Sequence, residues 1–191
     1  MNTARLEAFT DGVVAIIITI MVLEIHVPQG GDLASLRADV PVLLAYVLSY
    51  VNVGIFWNNH HHMLHVTERV NGRILWANLV LLFWLSLIPF VIRWIDEAGF
   101  VAAPTAAYGV VLACAGLSYT TLQRQIIALN GRESRLAQAT GDDLKGKLSI
   151  ALYLAAIVLA FVWPWLAILL YVTVALIWLV PDSRIESLAR K

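Results

Sequence analysis

At 191 residues, with 60% hydrophobic and 14% charged side chains, the chain is far more apolar than soluble domains, which run near 25% charged. That composition argues against a soluble fold. Lys plus Arg (13) balances Asp plus Glu (13), so no charge excess points to nucleic acid or to an acidic partner.

The length is better counted in membrane spans of about 20 residues, and six fit with little left for an extramembrane domain. Arg5, Glu7 and Asp11 lead directly into the first apolar run, with no small-residue cleavage site before Pro28. The segment is therefore expected to stay in the mature protein. Apolar runs then predict an all-α membrane domain over 1–191, with helices at about 4–27, 40–65, 71–95, 101–129, 145–163 and 165–180. The last two come from one run, Leu148 to Val180, whose helix would rise about 50 Å against a hydrocarbon core of about 30 Å. Trp163-Pro164-Trp165 at its middle divides it, since proline ends or starts helices and Trp favours the interface.

Loop charges test that count, because cytoplasmic loops collect Lys and Arg. Six spans place Arg5, Arg69, Arg73, Arg124, Arg132, Arg135, Lys145, Lys147, Arg184, Arg190 and Lys191 on one side. The other side keeps Arg37 and Arg93 with Glu24, Asp32, Asp39, Asp96 and Glu97. Both termini are thus expected in the cytoplasm, with an acidic outer face. Cys114 is the only cysteine, so no intrachain disulfide is expected. No phosphate-cradling Gly loop, nucleophile elbow, Cys-x-x-Cys or paired-carboxylate site occurs, which weakens any enzyme reading.

The first helix carries the strongest signal. Its clean apolar stretch, Val13 to Leu23, is only about 17 Å of helix, so the span must extend through Asp11 toward Glu7 and Arg5. Ionisable groups at that depth face a bundle interior, a partner or water. Ile16, Thr19, Ile20 and Leu23 form a narrow stripe at i, i+3, i+4 and i+7, while Asp11 lies about 140° around from Ile16. Periodicity alone reads the stripe as ordinary packing or lipid contact. The alternative is a hydrophobic constriction around a symmetry axis, gating by dewetting.

The second helix ends in Trp57-Asn58-Asn59-His60-His61-His62, with His65 one turn beyond His61. Two His at i and i+4 could bind a metal, but no carboxylate or Cys stands at ligand spacing, so polar packing is the preferred reading and no metal is expected. Asn78 lies about one turn inside the third helix. Asp11, the His cluster and Asn78 would share one depth and could form a buried polar network.

The run Arg5-Leu-Glu-Ala-Phe9-Thr10-Asp11-Gly12-Val-Val-Ala-Ile16 through Val22-Leu23-Glu24-Ile25 resembles the first-helix signature of the transmembrane protein 175 family of potassium channels. That motif is an Arg followed by Phe-Ser-Asp; Thr10 replaces the serine and keeps its hydroxyl. The likeness continues through Phe56-Trp57, His60-His61, Asn78-Leu79 and Ser86-Leu87-Ile88-Pro89-Phe90, and beyond the third helix only hydropathy and length match.

The resemblance implies a six-helix subunit assembled as a homotetramer in the plasma membrane, with a central pore lined by the first helix. No Thr-Val-Gly-Tyr-Gly filter is present. Carried over by position, the pore constriction falls on Ile16, Ile20 and Leu23 and the selectivity threonine on Thr19, which reverses the reading of the stripe. Arg5, Phe9, Thr10 and Asp11 are similar to family residues that hold the inner helix ends together, with Trp57, His61 and Asn78 as candidate partners. Potassium would be the permeant ion, entering an outer vestibule at Glu24 and Asp32, with no cofactor. The rival function is a proton-coupled secondary transporter or proton pathway using Asp11 and His60 to His62; a third, an enzyme or haem protein, would need the His cluster to hold a metal or chromophore.

Overall fold

The computed structural model describes residues 3–28, 30–37, 39–131, 133–141 and 143–179. Among them every regular element is a helix: α1 (Thr3–Leu23), α2 (Leu33–Leu36), α3 (Val40–His65), α4 (Gly72–Ser86), α5 (Ile88–Ala98), α6 (Ala102–Asn130), α7 (Arg135–Thr140), α8 (Leu144–Ala160) and α9 (Pro164–Leu179). Four stretches are long and apolar enough to cross a membrane, namely α1, α3, the α4–α5 pair over Gly72–Ala98, and α6. With 17 and 16 residues, α8 and α9 rise only about 25 Å each. Arg132, Arg184, Arg190 and Lys191, named above for their charge, and Val180 at the expected end of the last helix lie outside the described residues.

The ends of these helices depart from the expected ones for local reasons. The first stops at Leu23 rather than near residue 27. Pro28 disfavours helical geometry just before it, and Glu24 and His26 are drawn to partners on α5. The third expected helix is not continuous: it breaks at Leu87 and then runs on to Ala98. Pro89, in the first turn of α5, has no N–H for a bond back to Leu85, so the chain closes one tight turn, Leu87 N to Trp84 O at 3.2 Å, and starts afresh. Gly99, at φ +78°, ends α5 in a conformation that suits a residue without Cβ. The fifth helix ends at Ala160 rather than residue 163, and Pro164 opens α9 at a position where a missing N–H does no harm. Within the polar stretch Asn130 to Lys147, read above as a plain connection, a short helix α7 forms behind its N-cap Ser134.

The longest helix, α6, packs against α4, α5, α8 and α9. Its buried face mixes small residues with aromatics: Ala106, Gly109, Ala113 and Ala115 beside Tyr108 and Tyr119. Between helices in lipid, close approach and buried hydrogen bonds do the holding. At Gly109 a Cβ would collide with the Tyr171 hydroxyl and come within 2.8 Å of Ile157 Cγ1. The absent side chain therefore makes the seat in which the Tyr171 hydroxyl sits, where it donates to Thr105 O at 3.1 Å. Against this body α1 packs on α3, α4 and α5. One face of α1 is buried, Leu6, Thr10, Val14, Ile17 and Met21, at the three- and four-residue spacing of a single helical stripe.

Candidate functional site

The buried face of α1 meets polar side chains of α3 and α4 in its N-terminal half. Thr10 Oγ1 donates to Leu6 O at 3.0 Å and accepts from Asn78 Nδ2 at 3.0 Å. Asn78 Oδ1 lies 2.7 Å from His60 Nε2. Because that oxygen can only accept, His60 carries its proton on Nε2. The three residues are at most 2% exposed, so the chain Leu6 O, Thr10, Asn78, His60 answers the Thr10 hydroxyl, both ends of the Asn78 amide and His60 Nε2 in the interior.

A second set lies at the edge of the same layer. Trp57 Nε1 donates to Asp11 Oδ1 at 2.8 Å, and His61 Nδ1 lies 2.7 Å from Glu7 Oε1. Trp57, His61 and His65 stack along α3 at centroid spacings of 6.0 and 6.3 Å. Of the partners expected for Asp11, Trp57 reaches it; His61 instead takes Glu7, and Asn78 takes Thr10 and His60. Arg5 and Phe9 are exposed and stand outside both sets. Among the described residues no group of three or more His, Cys, Asp or Glu is arranged to hold a metal.

The other face of α1 is bare in the protomer. Ile16 is 58%, Ile20 40% and Leu23 80% exposed, with Thr19 exposed between them. The Thr19 hydroxyl donates to Ile16 O at 2.9 Å, so its proton is turned into its own helix and its oxygen lone pairs remain for an outside donor or cation. Ile16 and Ile20 also form one wall of a groove closed on its other side by Pro89, Phe90, Arg93 and Trp94 of α5.

At its C-terminal end α1 is tied to α5 by charge. Arg93 Nη1 holds Glu24 Oε2 at 2.9 Å, and Arg93 Nε holds Glu97 Oε1 at 2.9 Å. Glu24, expected to face an open vestibule, is thus shared with a guanidinium. His26 Nδ1 pairs with Asp96. That hydrogen bond and the Asp96 charge hold the His26 imidazole above its usual range, Glu97 adds to the effect, and slight desolvation and Arg93 oppose it. Asp32 turns back on its own loop, accepting from Ser35 N at 3.0 Å.

Two partners escaped the sequence reading. His60 rather than His61 faces the interior, and the clue was its phase: Ser49, Asn52, Asn59 and His60 repeat in register with the buried Val42, Val53 and Met63. Arg93 was expected at the same end as Glu24, but no local pattern couples the two across 69 residues.

A family model described as endosomal/lysosomal potassium channel TMEM175 matches residues 5–89. A potassium channel of Chryseobacterium sp. (strain P1-3) is 50% identical over 186 residues, covering 97% of each chain. The human endosomal/lysosomal proton channel TMEM175 is 36% identical over 96 residues, 44% of this chain and 19% of that one. The crystal structure of a lysosomal potassium-selective channel TMEM175 homolog from Chamaesiphon minutus superposes with a TM-score of 0.81 at 25% identity, covering 94% of this chain and 97% of that one.

Proposed function

The chain belongs to the TMEM175 family, and from that premise we propose that it forms a passive, potassium-permeable cation channel. Four subunits of six spans each surround a central axis in the plasma membrane, with both termini cytoplasmic. It is not an enzyme and takes no cofactor. The short α8 and α9 count as the fifth and sixth spans, since a hydrophobic deficit of a few Å is absorbed by local thinning of the bilayer.

The observation that supports this reading most is the division of α1 into two faces. Thr10, Asp11 and Glu7 anchor it to α3 and α4, and that anchorage sets its rotation. The opposite stripe of Ile16, Thr19, Ile20 and Leu23 is left without a partner in the protomer. Fourfold symmetry would bring these stripes together as stacked apolar rings over about 10 Å of the axis. Such a constriction controls permeation by wetting and dewetting. Isoleucine rings cannot replace a hydration shell as backbone carbonyls do, so selectivity is modest and draws on the outward lone pairs of Thr19. Two carboxylates, Glu24 and Glu97, share the single guanidinium of Arg93, which leaves each outer mouth net negative and enriches cations there.

Of the rival reading, a proton-coupled transporter or a proton pathway, the transporter half is not favoured, because the relatives named above are channels. Reconstituted liposomes test the choice: a channel passes potassium down its gradient without an imposed proton gradient, and a requirement for one would overturn the proposal. Ile16→Ala, Ile20→Ala and Leu23→Ala widen the rings and should raise conductance or relax selectivity. Unchanged permeation in all three would remove α1 from the pathway.

A further inference from the structure

Among α3, α5, α6 and α9 lies a groove of about 460 Å³, to which neither α1 nor α4 contributes a residue. Its walls are largely aliphatic, Leu44, Leu48, Ile92, Val172 and Leu176 among them, and no charged side chain lines it. With Leu44 64% and Leu176 59% exposed, the groove opens sideways from the protomer. The lining runs from Pro41 to Val51 on α3 and from Trp165 to Leu179 on α9, about 15 and 21 Å of helix. One leaflet of the hydrocarbon core is about 15 Å deep.

Four of the lining residues carry polar side-chain atoms, and two of these are committed inward. Tyr171 Oη donates to Thr105 O at 3.1 Å, and Tyr108 Oη donates to Ser49 Oγ at 2.9 Å, the Ser49 proton having gone to Ala45 O. Trp165, stacked on Phe100 at 4.9 Å, marks the end nearest the turn between α8 and α9, where an indole suits the membrane interface. The fourth is Thr105, in the first turn of α6. It is 1% exposed, and among the described residues its hydroxyl is the only buried side-chain N or O atom without a hydrogen-bond partner.

Its own helix offers an answer that Thr105 does not take. Ser118, Thr120 and Thr121 of α6, like Ser49 of α3 and Thr173 of α9, donate to the carbonyl four residues earlier. For Thr105 that carbonyl is Val101 O, which receives the Thr105 N–H at 3.2 Å but not the hydroxyl. A buried hydroxyl left in this state is unfavourable. Water suits the place poorly, because a held water needs about two to four polar partners and the aliphatic walls supply none. Hydrocarbon suits the walls, and an acceptor at its head suits the hydroxyl proton. With no cation on the lining, a carboxylate or phosphate would be desolvated without compensation, whereas an ester carbonyl is neutral and only accepts.

We propose that this groove is a binding site for a membrane glycerolipid, with one acyl chain lying along α3 and α9 and its ester carbonyl accepting from Thr105. The hydroxyl meets the carbonyl by a turn about χ1, a bond that in helical threonine already divides between two rotamers. The site rests on the membrane-spanning fold and not on potassium permeation, so either reading can fail without the other. The test is native mass spectrometry of the purified full-length protein in mild detergent, titrated with dioleoylphosphatidylcholine and with its dioleyl ether analogue. The two share headgroup and chains, but the ether has no carbonyl. Saturable binding with a preference of about fivefold for the diester is expected, the scale of one neutral hydrogen bond.

Thr105→Ser should keep that preference, and Thr105→Val, close in shape but without the hydroxyl, should abolish it. Leu176→Trp, at the exposed rim, narrows the groove while leaving Thr105 in place and should weaken diester binding. Equal binding of the two lipids by the parent, a preference that survives Thr105→Val, or unchanged binding in Leu176→Trp overturns the proposal. A second copy of the chain seated on the groove would leave neither lipid binding saturably, which overturns it as well.

Discussion

The indole N–H of Trp57 on α3 donates to the carboxylate of Asp11 on α1 at 2.8 Å, joining the two helices more than one turn before the bare stripe of α1 begins at Ile16. Trp57→Phe keeps the ring stacked on His61 but removes the donor. The site is partly open, with Trp57 41% exposed, so the expected loss is about 1 kcal/mol, below the range for a fully buried charged hydrogen bond. Asp11→Asn retains an acceptor and should lose less. Thermal unfolding of the two variants and their double mutant checks the order, and full additivity would show that the contact carries no energy.

The inner chain of Thr10, Asn78 and His60 predicts a steeper effect. Asn78→Leu nearly preserves volume but strips His60 of its acceptor and Thr10 of its donor in a layer that is at most 2% exposed. A loss of about 2–3 kcal/mol is expected, mostly the penalty for an unanswered buried donor. Adding His60→Leu in that background should then destabilise far less than it does alone, since the donor left unpaired is removed with it. Denaturant titration in detergent measures both.

At the C-terminal end of α1 stability should depend on pH. The His26 imidazole is held above its usual range by Asp96, so the folded state binds that proton more tightly than the unfolded chain does. The clasp is therefore fully present below about pH 6.5 and is lost as pH rises through the raised folded value. Comparison of thermal midpoints for the parent and His26→Gln across pH 5.5 to 8.5 should show a gap that is largest in acid and closes in alkali. A gap that widens with pH would contradict the pairing.

The two faces of α1 were legible because they rest on short-range geometry: Asp11 lies within a span that is too short without it, and Ile16, Thr19, Ile20 and Leu23 repeat at helical spacing. The end of α1 was not, since Val27 looks like a continuation of the apolar run, and the pairings of Glu24 with Arg93 and of His26 with Asp96, which add to the effect of Pro28, join residues about 70 apart. Three consecutive His span about 200° of α3, so one of them had to face inward, and choosing His60 over His61 required the phase of the whole helix. The break at Leu87 came from Pro89, whose missing N–H acts within a run so apolar that hydropathy sees no interruption.

That break gives α1 an unusual mounting. Asn78, which grips its N-terminal half through Thr10, belongs to α4, while Arg93 and Asp96, which grip the chain just past its C-terminal end, belong to α5. The beam is clamped at two points, and the clamps stand on opposite arms of one jointed lever whose fulcrum is Leu87. A change of angle at that joint would move one clamp relative to the other and so tilt α1, whose Ile16 and Ile20 share a groove with Pro89 and Phe90 beside the joint.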